Sequence, residues 1–495
     1  MAEATERSVE EQQPDFVKEI RKASVDFDGW YVDVVRKAEL ADYTPVRGCM
    51  VIRPYGYALW ENVQRAFDDM IKSSGHQNAY FPLFIPQSIF AREAEHVEGF
   101  APEVAWVTEA GGDRKKLDDP LVVRPTSETI IGTVMRKYIQ SHRDLPQLLN
   151  QWCNVVRWEL RTRLFLRTTE FLWQEGHTFH ATHEEAAEEV DLILGYYADV
   201  AESWLAVPVD RGRKSEAEKF AGAEYTKSIE GMMRDGLALQ MGTSHHLSQN
   251  FSRAYGIEFT NRQNQKELCY TTSWGMSTRT IGAIIMAHGD DSGLILPPKV
   301  APIQVVVVPI WRDEESRARV AAYLEYLEME LKGHGGIRWH VDWRDGMRPG
   351  EKYNEWELKG VPLRIEVGPR DVEARHFTLV NRITREKTPL HEMGIAHELQ
   401  HRLEAFQKQL YDRALAFRQE NTFEVASFEE LVEHFKSRNG FVWANWCLDP
   451  ECEAKVKAET GGVTTRNYKP ESPGSGACAI CGRPARVRVS FARAY

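Results

Sequence analysis

The chain has 495 residues, with 62 Lys and Arg against 73 Asp and Glu, which gives a formal net charge of -11. This length is too great for one hydrophobic core, so we expect about two to four domains. A composition of 42% hydrophobic and 27% charged residues is that of an ordinary globular protein. No apolar run approaches the roughly 18 residues that a membrane span needs, and the negative charge disfavours nucleic-acid binding outside local basic patches.

The first residues are acidic and polar. They show the pattern of neither a signal peptide nor a transit peptide, so we expect a cytoplasmic location. Residues 1–14 are expected to be disordered, because they offer little apolar surface to bury.

The segment from Arg53 to Pro86 predicts a helix followed by a strand. Pro54 opens the helix and Gly75 lies just after its end. Apolar residues recur inside it at helical spacing: Leu59, Val63, Ala66 and Met70. The strand is predicted from Asn78 to Ile85.

The segment from Val155 to His177 predicts a β-hairpin with an Arg-rich loop. Arg157 and Glu159 are two residues apart on the first predicted strand and so project from the same face. The second strand carries Phe171 and Trp173. Guanidinium, carboxylate and aromatic groups on one face are suited to grip a nucleotide.

Further segments follow in chain order. Thr182 with Glu185 predicts a capping box that opens a helix running to Trp204. Arg279 stands at the opening of an apolar helix within Ser273 to Ala287, S-W-G-M-S-T-R-T-I-G-A-I-I-M-A. Three short motifs accompany these elements: R-P-T-S-E at Arg124 to Glu128, E-K-F-A-G-A at Glu218 to Ala223, and G-T-S-H-H at Gly242 to His246.

A proline cluster from Leu296 to Pro302 predicts a domain boundary. Beyond it we expect a buried strand over Ile303 to Ile310, and then a helix with an apolar stripe of Val320, Leu324, Leu327 and Leu331. Further strands are predicted at Trp339 to Trp343, Leu363 to Val367 and Phe377 to Asn381. The pattern indicates an α/β domain of mixed strands. A long helix is expected from about Ile395 to Glu420, and an edge strand at Arg486 to Phe491.

The seven cysteines form two groups. Cys49, Cys153 and Cys269 are isolated and are interpreted as reduced core residues. The others form a C-x4-C and a C-x2-C pair, which is typical of a zinc site: Cys447, Cys452, Cys478 and Cys481. Two disulfides are the alternative, which a reducing cytoplasm disfavours.

Two groups of arginines are candidate RNA-facing patches, with a solvated charged surface as the alternative. They are Arg483, Arg486, Arg488 and Arg493 near the C-terminus, and Arg161, Arg163 and Arg167 in the hairpin loop.

The segments at Arg53, Val155 and Ser273 resemble motifs 1, 2 and 3 of class II aminoacyl-tRNA synthetases. Together with the three short motifs, they make the chain resemble a prolyl-tRNA synthetase of the archaeal and eukaryotic type with a C-terminal zinc domain. The resemblance extends from about Asp15 to Tyr495. The motifs at Arg124 and Gly242 favour proline over threonine, serine, histidine and glycine, and no active-site zinc ligands of a threonine enzyme are found.

The resemblance implies a fold of three domains. Residues 15–296 would form an α+β class II catalytic domain, with an antiparallel sheet and flanking helices. Residues 297–400 would form an α/β anticodon-binding domain, and residues 401–495 a small α/β zinc-binding domain. The helix and strand of motif 1 would form a homodimer interface. The space between motifs 2 and 3 is too short for the editing domain of bacterial-type enzymes.

The resemblance also implies an activity. The enzyme would activate L-proline with ATP to prolyl-adenylate and transfer the prolyl group to the 3′ end of tRNA(Pro), releasing AMP and diphosphate. It would use Mg²⁺ with ATP and a structural Zn²⁺. A catalytically silent, synthetase-like RNA-binding or regulatory protein is the alternative, which intact Arg157, Glu159 and Arg279 disfavour.

Roles for individual residues follow from the resemblance. Arg157 would hold the α-phosphate and the proline carboxylate, Glu159 the adenine amino group, and Arg279 the γ-phosphate, while Phe171 would stack on adenine. These residues belong to a predicted ATP site of Arg157, Glu159, Thr168, Phe171, Gln240, Thr243, Ser277 and Arg279. Gln240 is one possible Mg²⁺ ligand.

The proline pocket needs an acceptor for the amine and apolar walls for the ring. Glu128, supported by Thr126, is expected to be the acceptor, and Glu175 to fix a histidine tautomer. The complete predicted set is Thr126, Glu128, Arg157, Trp173, Glu175, His177, Phe220, His245, Ser273 and Gly275. Glu357 and Arg364, in W-E-L-K-G-V-P-L-R, would read an anticodon guanine or form ordinary ion pairs. The terminal Tyr495 is expected to be directed toward the catalytic domain.

Overall fold

The computed structural model describes residues 19–96 and 103–495, so the disorder predicted for residues 1–14 lies outside the described residues. Within them the α-helices are α1 (Phe27–Lys37), α2 (Pro54–Ser73), α3 (Gln87–His96), α4 (Glu128–Met135), α5 (His183–Asp199), α6 (Asn250–Tyr255), α7 (Arg279–His288), α8 (Glu314–His334), α9 (Pro349–Leu358), α10 (Pro369–Ala374), α11 (Ile395–Glu420), α12 (Phe428–Ser437) and α13 (Pro450–Thr460). A 3-10 turn spans His142–Asp144, and a π-helical turn, Val200–Trp204, continues α5.

The strands of the same residues are β1 (Ala41–Tyr43), β2 (Met50–Ile52), β3 (Gln77–Asn78), β4 (Phe84–Pro86), β5 (Trp106–Ala110), β6 (Lys115–Val123), β7 (Gln147–Val156), β8 (Glu170–His180), β9 (Val209–Arg213), β10 (Tyr225–Met232), β11 (Ala238–Ser248), β12 (Glu258–Thr260), β13 (Lys266–Leu268), β14 (Tyr270–Ser277), β15 (Val305–Pro309), β16 (Trp339–Val341), β17 (Leu363–Val367), β18 (His376–Asn381), β19 (Lys387–His391), β20 (Thr422–Glu424), β21 (Phe441–Trp446), β22 (Thr464–Pro473) and β23 (Val487–Ala492).

The chain divides into two compact units. Of the described residues, the smaller comprises 19–38, 289–295 and 303–403, and the larger comprises 39–96, 103–288, 296–302 and 404–495. The division falls inside α11. This helix is assigned to the smaller unit up to Leu403 and to the larger unit from Glu404.

The smaller unit contains a five-stranded mixed sheet in the order β16-β15-β17-β18-β19. The first three strands are parallel, and β18 and β19 are antiparallel to their neighbours. Helix α8 begins at a capping box of Asp313 and Ser316, and its buried face is the predicted stripe of Val320, Leu324, Leu327 and Leu331. The predicted α/β arrangement of mixed strands is therefore confirmed.

The larger unit is built on an eleven-stranded sheet in the order β20-β21-β23-β22-β9-β10-β11-β14-β8-β7-β3. Strands β7 to β11 and β14 pair antiparallel and form its central part. Strands β20 to β23 continue the same sheet, joined where Tyr468 pairs with Arg213. The edge strand predicted at Arg486 to Phe491 is wrong in this respect, because β23 lies between β21 and β22 and hydrogen-bonds to both. An isolated alternating pattern cannot tell a paired strand from an edge strand.

A buried charge network links β22 to β10, which are separated by β9 in the sheet. Arg466 donates two hydrogen bonds to Glu230, at 2.9 and 3.0 Å, and Lys214 Nζ lies 3.7 Å from the same carboxylate. Glu230 is completely buried. Such a charge is stable inside a protein only when it is paired, so Arg466 of β22 stabilises the buried carboxylate of β10.

The strand predicted from Asn78 to Ile85 is interrupted, which corrects that prediction. Strand β3 ends at Asn78 and pairs with β7, whereas β4 begins at Phe84 and pairs with β6 in a separate three-stranded sheet. Pro82 between them has no N–H to give to a sheet. Phe81 donates its amide to the side chain of Gln151 instead. Helix α2 agrees with its prediction.

Among the described residues, the helices include none with the length and apolarity needed to cross a bilayer.

Candidate active site

A cavity of about 490 Å³ opens over the central strands of the larger unit. Its floor is a ladder of directly paired residues. Thr226 of β10 pairs with His245 of β11, His245 pairs with Ser273 of β14, and Ser273 pairs with His177 of β8. Such a volume is typical of a small-molecule site.

Strand β8 supplies one wall through its two-residue period. Phe171, Trp173, Glu175 and His177 alternate along it and therefore face the same side of the sheet. Gly275 of β14 pairs opposite Glu175. A Cβ atom on Gly275 would lie 3.1 Å from the ring of Trp173, so a glycine lets the indole lie flat against the floor.

One end of the cavity holds a network of buried carboxylates. Thr126 donates to Glu128 at 2.5 Å, and Glu175 accepts from Gln151 at 2.6 Å and contacts His177 at 3.0 Å. Burial alone would raise the pKa of Glu175, but the hydrogen bonds hold it below its usual value. The pKa of His177 is raised despite burial, because carboxylates lie beside it. This end of the cavity is suited to a cationic group.

His245 forms an apolar wall rather than a charged one. Its Nδ1 is 2.9 Å from the hydroxyl of Thr226, and its ring packs 4.7 Å from that of Phe220. Burial and nearby cations lower the pKa of His245 to about 3. The ring is neutral at physiological pH and does not repel a bound amine.

Arg157 occupies the centre of the cavity wall. The residue lies just beyond Val156, where β7 ends, so the prediction that Arg157 and Glu159 both lie on a strand is wrong. Its Nε donates to the carbonyl of Pro125 at 3.0 Å. The guanidinium stands 5.5 Å from the ring of Phe171 and 5.3 Å from that of Trp173. Burial lowers its pKa, and nearby carboxylates oppose the shift.

Arg279 stands across the cavity at the start of α7. Its guanidinium donates to the carbonyls of Leu166 and Gln240, at 3.1 and 3.3 Å. Burial and the positive charge of Arg157 lower its pKa to about 10, so it remains protonated at neutral pH. The two arginines form a positive pair, which is suited to bind an anion between them.

The structure brings most of the predicted residues together. All ten residues of the predicted proline pocket line this cavity. Of the predicted ATP site, six residues line it as well: Arg157, Phe171, Gln240, Thr243, Ser277 and Arg279. Thr168 does not; its hydroxyl donates to the carbonyl of Glu170 at 2.7 Å. Glu159 does not line it either, although its charge acts on both arginines.

Lys214 is a cavity residue that sequence reasoning missed. It is 4% exposed, and its Nζ donates to Gln240 Oε1 at 2.6 Å. Burial lowers its pKa, and Glu230 opposes the shift. Its only sequence signal is its position four residues before the E-K-F-A-G-A motif.

Three family models match the chain. They are the tRNA synthetase class II core domain (G, H, P, S and T) at residues 106–288, the anticodon binding domain at residues 304–411, and the prolyl-tRNA synthetase C-terminal model at residues 428–495. A proline–tRNA ligase of Symbiobacterium thermophilum is 51% identical over 98% of this chain and 100% of its own. One from Chlorobium limicola is 53% identical over 96% and 99%.

The chain belongs to the prolyl-tRNA synthetase family. Solved structures agree. The Cryptosporidium parvum prolyl-tRNA synthetase complexed with L-proline and AMP matches with a TM-score of 0.89 at 41% identity, over 96% of this chain and 99% of that one. The same enzyme complexed with halofuginone and AMPPNP gives 0.90 at 42% identity, with the same coverage. With its C-terminal domain and four-cysteine cluster, the chain is a prolyl-tRNA synthetase family member of the archaeal and eukaryotic type.

The four cysteines predicted to bind zinc converge in the C-terminal domain of this synthetase. Their sulfur atoms lie within 4.8 Å of one another. Cys447 Sγ is 3.7 Å from Cys452 Sγ and 3.6 Å from Cys481 Sγ. These separations exceed a disulfide bond of about 2.05 Å and match the edge of a tetrahedron with zinc–sulfur bonds of about 2.3 Å. The cluster is consistent with a structural zinc site.

Three of the four predicted RNA-facing arginines near the C-terminus have protein partners for their side chains. Arg483 pairs with Asp449, Arg488 pairs with Glu424 at 2.8 Å, and Arg493 donates to two backbone carbonyls at 2.9 Å. These contacts favour the alternative that the charges serve the structure of the domain.

Glu357 and Arg364, predicted to read the anticodon, line one cavity of about 150 Å³ in the smaller unit. Glu357 lies 3.1 Å from Arg385. Arg364 donates to Glu366 at 2.9 Å and stacks on the ring of Tyr353 at 4.2 Å. Both residues are in ion pairs, as the alternative interpretation expected, and both still face a common space.

Tyr495 contacts residues of the predicted catalytic domain. Its hydroxyl donates to Asp235, its amide donates to the carbonyl of Ala238 at 3.1 Å, and its ring lies 5.2 Å from the guanidinium of Arg163 in the motif 2 loop. The last residue therefore connects the C-terminal strands to the loop between β7 and β8.

Proposed function

We propose that the cavity is the site where this synthetase activates L-proline with ATP, with Arg157 as the group that holds both reactants. The observation that carries the proposal is the position of Arg157. It lies between the carboxylate end, with Glu128 and Glu175, and the end that holds Phe171 and Arg279. An amino acid and a nucleotide bound at the two ends would meet at this guanidinium.

The carboxylate end fits proline. Glu128 would accept from the cationic secondary amine, oriented by the hydroxyl of Thr126. Trp173, Phe220 and neutral His245 would enclose the ring. Because an apolar pocket rejects close isosteres by only about 1–3 kcal/mol, some activation of alanine or cysteine is expected.

The other end fits ATP. Phe171 would stack on adenine, Glu159 would accept from the amino group, and Arg279 would bind the γ-phosphate. A carboxylate oxygen of proline then attacks the α-phosphorus, an oxygen–phosphorus bond forms, and the bond to the β-phosphate breaks as diphosphate leaves. Arg157 stabilises the charge that develops on the α-phosphate.

The second step needs no protein base. The terminal ribose hydroxyl of tRNA(Pro) attacks the carbonyl carbon of prolyl-adenylate, AMP leaves, and a phosphate oxygen of the adenylate is close enough to take the proton. Proline transfers to the 3′ end of the tRNA.

Mg²⁺ would enter with ATP in this proposal and would neutralise part of the phosphate charge. Gln240 is a poor fit as its ligand. Its side-chain oxygen already accepts from the ammonium of Lys214 at 2.6 Å, and a cation at that oxygen would meet this positive charge. No step above depends on a magnesium ligand from the protein.

The deciding experiment is ATP–diphosphate exchange with proline, threonine, serine, histidine, alanine and cysteine. Strong exchange with proline and weak exchange with alanine or cysteine is expected. Folded protein with no exchange for any amino acid would favour the silent RNA-binding alternative.

We propose that Lys214 positions Gln240 at the nucleotide. In Lys214→Met, Gln240 loses a hydrogen bond from a charged group, worth about 1.5–3 kcal/mol, while Glu230 keeps Arg466 as its partner. The KM for ATP should rise about tenfold and the KM for proline should not change. The control is Lys227→Met, which removes a lysine of the same sheet that pairs with Asp191 of α5. An unchanged KM for ATP would contradict this role.

Glu357 and Arg364 are proposed to read an anticodon guanine, the carboxylate accepting from its donor edge and the guanidinium donating to its acceptors. Glu357→Gln should lower kcat/KM for tRNA about 10- to 100-fold, which corresponds to roughly 1–3 kcal/mol for a lost base contact. Proline-dependent exchange, measured without tRNA, should be unaffected. Exposed Glu386, replaced by Gln, is the control. Equal losses in both assays would indicate a structural ion pair instead.

Tyr495 is proposed to order the motif 2 loop. Deleting it removes the contact with Arg163, and a cation–π contact contributes about 0.5–2 kcal/mol. Proline-dependent exchange should fall several-fold, while Tyr495→Phe, which keeps the ring, should lose much less. Activation kinetics equal to wild type in the deletion variant would show that the contact has no role in activation.

A homodimer is proposed from apolar side chains near motif 1. Large exposed residues surround α2 in the sequence: Tyr43, Val46, Val51, Tyr57, Tyr80 and Phe84. A group of such residues is typical of a protein interface. Sedimentation equilibrium should give the mass of two chains, and a monomer at micromolar concentration would refute the proposal.

The domain boundaries at residues 296 and 400 are also proposed, and limited proteolysis would map them.

A further inference from the structure

We propose that His183, Glu224 and His246 form a second metal site, for a divalent transition-metal ion such as Zn²⁺. Their ligand atoms lie within 4.8 Å of one another. They come from three different segments: the first residue of α5, the residue before β10, and the body of β11. None of the three belongs to the four-cysteine cluster or lines the proline cavity.

The separations fit a single ion. His183 Nε2 is 3.2 Å from Glu224 Oε2, and His246 Nδ1 is 3.6 Å from the same oxygen. Zinc bound tetrahedrally at about 2.0–2.1 Å needs ligand atoms roughly 3.3 Å apart, and the two observed distances bracket that value. The imidazole rings of His183 and His246 are 4.3 Å apart between centroids. The remaining separation, between His183 Nε2 and His246 Nδ1, is below 4.8 Å and would reach this value after small side-chain rotations.

The buried ligand is already oriented. His246 Nε2 lies 3.3 Å from the carbonyl of His183 and donates to it, while His246 Nδ1 accepts from the amide of Ser248 at 3.2 Å. Both contacts hold the tautomer whose Nδ1 carries a lone pair. Metal-binding histidines commonly donate their other ring N–H to a backbone carbonyl in this way. A bound ion would replace the Ser248 amide at the lone pair.

Exposure provides an entry path and a free coordination position. The side chain of His246 is fully buried, whereas those of His183 and Glu224 are 40% and 42% exposed. Two imidazoles and one carboxylate, with water in the fourth position, form a common zinc coordination set. Imidazole nitrogen disfavours Mg²⁺ and Ca²⁺, which prefer oxygen ligands.

The site would join segments that shape the proline cavity. Glu224 directly follows the E-K-F-A-G-A motif, which carries Phe220. His246 directly follows His245, the cavity wall, and adjacent strand residues face opposite sides of the sheet. A bound ion would therefore link the end of the motif, the start of α5 and β11 behind the wall of the cavity.

Zinc titration of the holoprotein tests the site. Protein that retains zinc at its four cysteines, desalted to remove loosely bound metal, is titrated with ZnCl2 by isothermal calorimetry. Wild type should take up one further equivalent per chain. His183→Ala and Glu224→Gln should each weaken this binding more than about tenfold. Replacing residues that only hydrogen-bond to metal ligands already lowers metal affinity by about 10- to 100-fold. MgCl2 should not compete.

His334→Ala is the matched control, since this residue is the exposed last residue of α8. It should bind zinc as wild type does. Thermal melting without added zinc should show that all variants are folded. No further uptake by wild type, or wild-type uptake by His183→Ala and Glu224→Gln, would mean that the three side chains form a hydrogen-bonded cluster only and would overturn the proposal.

Discussion

Arg157→Ala should abolish proline activation while leaving the protein folded. This guanidinium is the group placed between the two ends of the cavity, and its terminal nitrogens make no hydrogen bond among the described residues. In the proposed mechanism they would bind the α-phosphate and the proline carboxylate. Removing one preorganised donor from a developing charge costs about 10²–10³ in rate, and removing an arginine from a phosphoryl-transfer site costs about 10³–10⁵. We expect proline-dependent exchange to fall at least about 10³-fold.

Two further variants make this result specific. Arg157→Lys keeps the charge but loses the planar fork that binds two oxygen atoms at once, so its exchange rate should lie between wild type and Arg157→Ala. Arg161→Ala removes an exposed arginine of the same loop and should exchange as wild type, because no tRNA is present in the assay. Exchange by Arg157→Ala within tenfold of wild type would show that another residue joins the two reactants.

The residues of the site could be predicted from sequence because they occur in short, dense motifs. Phe171, Trp173, Glu175 and His177 alternate along one strand, and a strand has only one way to present such a pattern to a cavity. The residue at which strand β7 ends was harder to predict. Arg157 lies beyond the end of β7, where the chain turns so that its Nε reaches the carbonyl of Pro125. Local sequence does not encode this contact between residues 32 positions apart.

Lys214 and the ladder across the floor were missed for a related reason. A single lysine forms no periodic sequence pattern that would predict its role. The role of Lys214 depends on Gln240, Glu230 and Arg466, which belong to three different strands. The order of those strands is set by long-range pairing. It places β22, from the last part of the chain, beside β9. The sequence predicts a small C-terminal domain, and it does not show that strands β20 to β23 of that segment join the same eleven-stranded sheet.

Loss of zinc should destabilise the C-terminal domain and lower activation as well. Cys481 is the exposed member of the four-cysteine cluster, so Cys481→Ser removes almost no buried apolar surface. Structural zinc sites contribute roughly 10–16 kcal/mol of apparent binding energy in small domains. We expect Cys481→Ser to lose its structural zinc and about 3 kcal/mol or more of stability, measured by metal analysis and denaturant unfolding. Cys49→Ser, the same substitution outside the cluster, should keep both.

The effect on activation follows from the charge network, not from the zinc ion itself. Cys452 lies in α13, and in the same helix Glu453 accepts hydrogen bonds from Ser215 and Thr465. Thr465 adjoins Arg466, which pairs with Glu230 and through it with Lys214 at the proposed nucleotide end of the cavity. If zinc orders this region, Cys481→Ser should raise the KM for ATP more than the KM for proline, as expected for Lys214→Met. If Cys481→Ser loses zinc and stability but keeps both KM values, the C-terminal domain stabilises the sheet without positioning the nucleotide.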